Sequence, residues 1–390
     1  MRILIALTYY RPHYSGLTIH AEREARALAA RGHTVTVLTS RFNPYLPAHE
    51  RIDGVEIIRP RVLLHISKGV IMPAMPYWAW KLVRNADVVH LHLPQLDAAP
   101  IALISRLMGK PVVVTYHCDL LLPHGFIHFL ANQASDLANN LTGLSANLMV
   151  HNTRDYAETS PYLTKYLDKV RPIFPPVVVA PVKDGDVNAF RLKNGIQPGQ
   201  QVIGMAARLA SEKGAEYLAE ALPLVLEKHP QARVLFVGQY QNVFGEEQYA
   251  ARLAPMIEKL GEHWKFLGIL PDQEFAAFLR ACDVTVLPSL NSTESYGLVQ
   301  VESMTCGTPV VATDLPGVRV PVQMSGMGIL VPPANAQALA QALITILDNP
   351  LEYRKNPGAI VQLSTPEAVA AAYEAVFNEA CQQIRVPRLK

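Results

Sequence analysis

The sequence predicts an α/β protein of two doubly wound, parallel-sheet domains, and three observations carry that prediction. Short runs rich in β-branched residues alternate with longer helical patterns along the chain, a proline-rich stretch breaks the alternation near the middle, and 390 residues exceed one ordinary core at ~100–200 residues per domain. In the first half the strand-like runs are Ile3–Leu7, Val35–Leu38, Val55–Ile58, Val88–Leu91, Val112–Tyr116 and Leu148–Val150, separated by helical segments such as Thr18–Arg31 and Ile101–Met108. Strands spaced by whole helices form parallel βαβ units rather than hairpins. The first helix closes on Ala25-Arg-Ala-Leu-Ala-Ala-Arg-Gly32, with Arg26 and Arg31 suited to the helix dipole and Gly32 to the cap.

The prolines of Arg171-Pro-Ile-Phe-Pro-Pro-Val-Val-Val-Ala-Pro181 make a stiff, extended connection. They set the expected domains at 1–178 and 179–365, with 366–390 as a terminal segment. Beyond the connection the alternation restarts with Val202–Ala206, Val234–Val237, Phe266–Leu267, Val284–Leu287, Val310–Ala312 and Ile329–Val331. The last segment, Pro366–Ile384, reads as a helix with Val369, Ala372, Val376 and Cys381 on its apolar side, able to pack on either domain. Two doubly wound domains on a short linker place the carboxyl ends of both sheets on a shared cleft, the preferred ligand position in open α/β folds.

Composition excludes several classes. A net charge of +2 from 35 basic and 33 acidic residues is too balanced for nucleic-acid binding by bulk electrostatics. Cys118, Cys282, Cys306 and Cys381 have neither metal-ligand spacing nor a paired framework, which argues against a structural zinc and fits a reducing, cytoplasmic compartment. The start, Met1–Thr8, reads as a buried strand rather than a signal peptide. The apolar stretch from Val62 to Val83 is interrupted by His65, Lys68, Pro73, Pro76 and Lys81, so it does not span a bilayer. Arg59, Arg61, Lys68, Trp78, Trp80, Lys81 and Arg84 around it suit a membrane interface, and equally a buried helix with a few solvated charges.

Two stretches carry chemistry. In Gly204-Met-Ala-Ala-Arg-Leu-Ala-Ser-Glu-Lys-Gly214 a strand runs into a loop with Arg208 and Lys213 just before a helix. A guanidinium grips phosphate oxygens in pairs and an ammonium adds a point charge, so the two suit a diphosphate; alternatively they are solvated surface charges. In Leu287-Pro-Ser-Leu-Asn-Ser-Thr-Glu-Ser-Tyr-Gly-Leu-Val-Gln-Val-Glu302 a second strand end leads through a polar loop into a helix opening near Tyr296 or Gly297. Glu294 precedes that helix and Glu302 lies inside it, while the amides of Tyr296, Gly297 and Leu298 offer an anion site at its N-terminus. The plain alternative is a first-turn carboxylate and a solvated helix residue.

These stretches, followed by Ser303-Met-Thr-Cys-Gly-Thr-Pro-Val-Val-Ala-Thr-Asp314, resemble the family 4 retaining glycosyltransferases of the GT-B fold, two Rossmann-like domains, over nearly the whole chain. The resemblance implies that Arg208 and Lys213 bind the donor diphosphate, Glu294 contacts the donor sugar and Glu302 holds the ribose hydroxyls. It also implies that Gly16, in Pro12-His-Tyr-Ser-Gly-Leu-Thr-Ile-His-Ala-Glu22, lets backbone approach the donor, and that His117, in Val112-Val-Val-Thr-Tyr-His-Cys-Asp119, is the active-site histidine. Asp119 either faces the acceptor or caps the next turn. Where many relatives carry a glycine pair and a glutamate, this chain reads Asp314-Leu-Pro-Gly-Val-Arg-Val-Pro321, so Arg319 either meets an anionic acceptor or forms a structural ion pair.

The function so implied is a hexosyltransferase-like enzyme moving a sugar from a nucleotide diphosphate donor to a hydroxyl acceptor, in glycolipid or surface-glycan synthesis, at the inner face of the membrane where the acceptor is a lipid. No cofactor or metal is required, because the cations and helix amides stabilise the leaving diphosphate. The rivals are a nucleotide-sugar epimerase of similar fold and a catalytically silent nucleotide-sugar-binding module. A required acceptor excludes the first and turnover the second.

Overall fold

The computed structural model describes residues 1–66, 69–119 and 126–385. The chain forms two units, Met1–Pro176 with Ser364–Lys390, and Val177–Leu363.

The first unit carries β1 (Arg2–Ala6), α1 (Gly16–Ala30), β2 (Thr34–Leu38), β3 (His49–Ile52), β4 (Val55–Ile58), β5 (Leu64–Ile66), β6 (Gly69–Ile71), α2 (Met75–Asn85), β7 (Val88–Leu93), α3 (Ala98–Leu107), β8 (Val112–Tyr116), α4 (Phe126–Ser145), β9 (Leu148–His151), α5 (Arg154–Ala157) and β10 (Val170–Pro172). Its sheet runs β10-β9-β8-β7-β1-β2-β4-β3, parallel except for the β3–β4 pair. Every residue of β7 and β8 is buried, as expected of central strands covered on both faces. The alternation reading finds β1, β2, β4, β7, β8 and β9 but passes over β10, whose residues run into the proline-rich connection, the antiparallel β5–β6 pair, and β3, because His49-Glu-Arg-Ile52 is a polar, largely exposed edge strand without a clear apolar period.

The second unit carries α6 (Asp184–Lys193), β11 (Val202–Ala206), α7 (Ala215–Leu226), β12 (Arg233–Val237), α8 (Glu247–Leu260), β13 (Trp264–Gly268), α9 (Asp272–Ala281), β14 (Val284–Leu287), α10 (Leu298–Thr305), β15 (Val310–Thr313), α11 (Arg319–Ser325), β16 (Gly328–Val331), α12 (Ala336–Asp348), α13 (Pro350–Tyr353) and α14 (Ala359–Leu363). Its fully parallel sheet runs β13-β12-β11-β14-β15-β16. Strand order reverses between β11 and β14, the switch point at which loops diverge and leave a crevice.

The chain then returns to the first unit through α15 (Pro366–Arg385). Val369, Tyr373, Val376 and Phe377 of α15 join Ala21, Ala25 and Leu28 of α1 and residues of β1 and β2 in one core. Glu374 fixes the docking: Arg31 donates to both its oxygens at 2.6 and 2.7 Å, and His33 Nε2 lies 2.7 Å from Oε1.

The basic and aromatic cluster around 59–84 divides. Arg59 is buried against Glu50 and donates to the Pro47 and Arg11 carbonyls, so it is a structural cation unable to meet lipid. Trp78 packs on the core, whereas Tyr77 and Trp80 of α2 are 58% and 49% exposed, beside exposed Lys81 and Arg84. Lys68 lies outside the described residues. Among the described residues no helix is long and apolar enough to cross a membrane.

Candidate active site

At the switch point of the second unit, two loops are laced together by backbone. After β11, Ala207 and Leu209 donate to the carbonyls of Val237 and Gln239, fixing the loop beside the end of β12. The turn Ser211–Lys213 then ends on Gly214, whose φ of +68° is left-handed and where a Cβ would lie 2.2 Å from the Pro288 carbonyl oxygen. Only glycine permits this approach without displacing the second loop. Leu290 N donates to Glu212 O at 3.0 Å, completing the lacing.

This contact sets the charged side chains. Lys213 Nζ donates to Glu294 Oε2 at 2.7 Å, and Arg208 Nη2 to Glu212 Oε1 at 3.3 Å. Burial pulls the Lys213 pKa down, but the Glu294 and Glu212 carboxylates together outweigh it and the net shift is upward, so the ammonium keeps its charge. The two cations are held in differing ways, with the Lys213 side chain 18% exposed and that of Arg208 46%.

The second loop is wound by its own polar side chains. Asn291 Oδ1 accepts from Thr293 N and Oγ1 at 3.1 and 2.7 Å, and Thr313 Oγ1 donates to Ser289 O at 2.8 Å. Gly297, with φ +78°, caps α10, so that helix begins at Leu298, one or two residues beyond the expected opening near Tyr296 or Gly297. Gln300 Nε2, fully buried, donates to Tyr296 O at 2.7 Å and to Val318 O at 3.0 Å, tying the helix start to the segment before α11. Tyr296 is itself buried, and Glu302 sits inside α10 at 8% exposure. Arg208, Lys213, Glu294 and the N-terminus of α10 thus share one switch point. Arg319 stands apart at the start of α11, with Nη1 3.3 Å from Asp314 Oδ1, the ion-pair alternative of the sequence reading.

In the first unit Gly16 opens α1 under the Ser15 cap, whose hydroxyl accepts from Thr18 N at 3.2 Å, and a Cβ on Gly16 would meet nothing within 4 Å. His117 follows β8 and is buried among other imidazoles. Its Nε2 lies 2.9 Å from His92 Nδ1, its ring stacks on His92 at 5.2 Å, and His20 meets it edge-on at 5.0 Å. Burial, with the neighbouring imidazoles, pushes the pKa values of His117 and His92 well below the ordinary range and that of His20 to about 3, so all three are neutral near pH 7. The Asp119 carboxylate accepts from Tyr116, Tyr156 and Ser160 hydroxyls at 2.9, 3.0 and 2.7 Å, which commits it to the local loop.

The motif reading gives no role to Glu212, to Gln300, or to the histidines around His117. The last had a readable signal: His90 and His92 alternate on β7 and therefore share a face. Asp97, in the loop after β7, is a further candidate, since burial lifts its carboxyl to about 6.

The fold is GT-B: a solved structure of the Anabaena protein HepE with UDP and glucose matches with a TM-score of 0.76 at 20% identity, covering 97% of this chain and 99% of that one. Residues 14–159 match Glycosyltransferase Family 4 and residues 186–362 match Glycosyl transferases group 1, and the chain belongs to this family 4, group 1 class of glycosyltransferases. The D-inositol 3-phosphate glycosyltransferase of Pseudarthrobacter chlorophenolicus is 27% identical over 364 residues, 86% of this chain and 82% of that protein. The phosphatidyl-myo-inositol mannosyltransferase of Mycobacterium leprae is 36% identical over 151 residues, 39% of this chain and 38% of the other.

Proposed function

We propose that this glycosyltransferase takes a nucleotide diphosphate sugar and transfers the sugar, with retention, to a hydroxyl acceptor in glycolipid or surface-glycan synthesis. The carrying observation is the grouping at one switch point of Arg208, Lys213, Glu294 and the N-terminus of α10, with Lys213 charged and 2.7 Å from Glu294. A diphosphate leaving group needs stabilisation as its negative charge grows, and prearranged cations and helix amides supply it without a metal. Glu302 takes the ribose hydroxyls, Glu294 contacts the sugar, and His117 is the active-site histidine. The acceptor hydroxyl attacks the face from which the nucleotide leaves, and a donor phosphate oxygen takes its proton, so no enzymic nucleophile is needed. A relative named for D-inositol 3-phosphate supports a hydroxyl-bearing acceptor, and one named for phosphatidyl-myo-inositol supports a lipid-linked one.

The test is calorimetric titration of the Arg208→Ala/Lys213→Ala variant with UDP and with GDP. Each charge-assisted contact contributes about 1.5–3 kcal/mol, so losing both weakens the preferred nucleotide by at least about a hundredfold. Undiminished affinity in a folded variant would place the donor elsewhere.

A further inference from the structure

Glu24 of α1 is fully buried, and three imidazoles converge on its carboxylate. His90 Nδ1 lies 2.9 Å from Oε1, and His92 Nε2 and His20 Nε2 each lie 3.6 Å from Oε2. Among the described residues, neither Glu24 oxygen has a hydrogen-bond partner of sound geometry, and neither do His90 Nδ1 and His92 Nε2. Buried polar atoms so enclosed are costly unless something partners them.

The outer nitrogens of both imidazoles are occupied. His90 Nε2 lies 2.7 Å from Thr115 Oγ1, which lies 2.9 Å from Tyr373 Oη, which lies 3.1 Å from His20 Nε2. The chain is satisfied in either direction, and in one of them His90 Nε2–H donates to Thr115, Thr115 to Tyr373, and Tyr373 to His20. His92 Nδ1 faces His117 Nε2 at 2.9 Å and donates to it in the same scheme. With protons on the outer nitrogens, His90 Nδ1 and His92 Nε2 present lone pairs toward the carboxylate, and a cation between the three groups compensates them.

We propose that Glu24, His90 Nδ1 and His92 Nε2 form a site for a resident divalent transition ion of the zinc class. One carboxylate and two imidazoles are a donor set for such an ion, and hydrogen bonds that hold the outer imidazole nitrogens are the usual support of metal-bound histidine. The ligand atoms lie within 4.8 Å of one another, near enough to close round one ion with bonds of ~2.0–2.2 Å after small side-chain shifts. The ion sits in the first unit and takes no part in neutralising the donor diphosphate. Its consequence for transfer rests on the function proposed above: by fixing the His92 proton on Nδ1 it makes His117 Nε2 an acceptor and leaves the remaining His117 proton on Nδ1. His92 is then a positioning residue.

The test is the metal content of the intact chain purified without chelator, by inductively coupled plasma mass spectrometry, followed by unfolding in chelator and refolding with Co²⁺. The expected result is about one equivalent of zinc-class metal per chain. Bound Co²⁺ shows visible ligand-field absorption without the near-ultraviolet charge-transfer band of a cysteine thiolate, and Glu24→Gln and His92→Gln each lose the metal. A chain that holds less than a tenth of an equivalent and shows no Co²⁺ band overturns the site, and a shared proton then compensates Glu24. Metal retained undiminished in folded Glu24→Gln and His92→Gln overturns it equally. If both variants fail to fold, the wild-type content and Co²⁺ spectrum still decide.

Discussion

Lys213 and Glu294 are joined at 2.7 Å, which makes the site more coupled than its motifs suggest. On the proposed function, a donor diphosphate shares the ammonium with a carboxylate already bound to it. Glu294→Gln therefore removes a competing negative charge as well as a contact to the sugar. We expect its affinity for free UDP or GDP to hold or rise, while turnover falls, because the lost contact strengthens as positive charge develops on the sugar ring. Glu302→Gln, by contrast, weakens free nucleotide and intact donor alike. Calorimetry with free nucleotide beside turnover for both variants separates the roles, and equal weakening of free nucleotide would exchange or abolish them. Arg208, Lys213, Glu294 and Glu302 are all readable from the two motifs. Their pairing is not, since it depends on Gly214 lying against the Pro288 carbonyl, a contact between loops more than seventy residues apart.

At the level of elements, α15 shows how an ionic contact fixes a helix already buried by apolar residues. Hydrogen bonds from Arg31, with a further contribution from His33, lower the Glu374 pKa from 4.5 to about 2. A carboxylate depressed on folding contributes stability above its unfolded pKa and loses it as pH falls through the folded one. Because the Arg31 side chain is 40% exposed, solvent screening limits the pair to about 1 kcal/mol. Glu374→Gln should thus lower stability by about that amount near neutral pH, with the gap to wild type closing as pH falls from 4.5 toward 2; urea titrations across that range measure it. The helix α2 carries a different prediction. Tyr77 and Trp80 are exposed beside Lys81 and Arg84, which suits an anionic bilayer surface. Sedimentation with phosphatidylserine vesicles should show binding that weakens with salt and is reduced in Trp80→Ser/Lys81→Ser. Binding indifferent to salt and to these changes would remove α2 as the contact.

For the whole molecule, the second unit is continuous in sequence and the first is not. Residues 177–363 expressed alone should fold cooperatively and retain UDP or GDP binding, since Arg208 and Lys213, the cations of the proposed donor site, lie within them. Residues 1–176 alone should fail to, because Tyr373 and Phe377 cover their core from α15. Circular dichroism melts of the two fragments, and of the first with an added 364–385 peptide, distinguish these behaviours. The strand alternation, the proline break and the donor motifs are local in sequence, and local periodicity and spacing by themselves determine a doubly wound fold and the residue types of a phosphate-binding loop. Two matters belong to the tertiary structure alone. Strand order decides that the loops after β11 and β14 meet, because β14 adds beside β11 and not beside β13. Burial decides the state of His117, because α1 carries Glu24 and His20 over the β7 histidines and closes the group to water, where solvation no longer sets which nitrogen holds a proton.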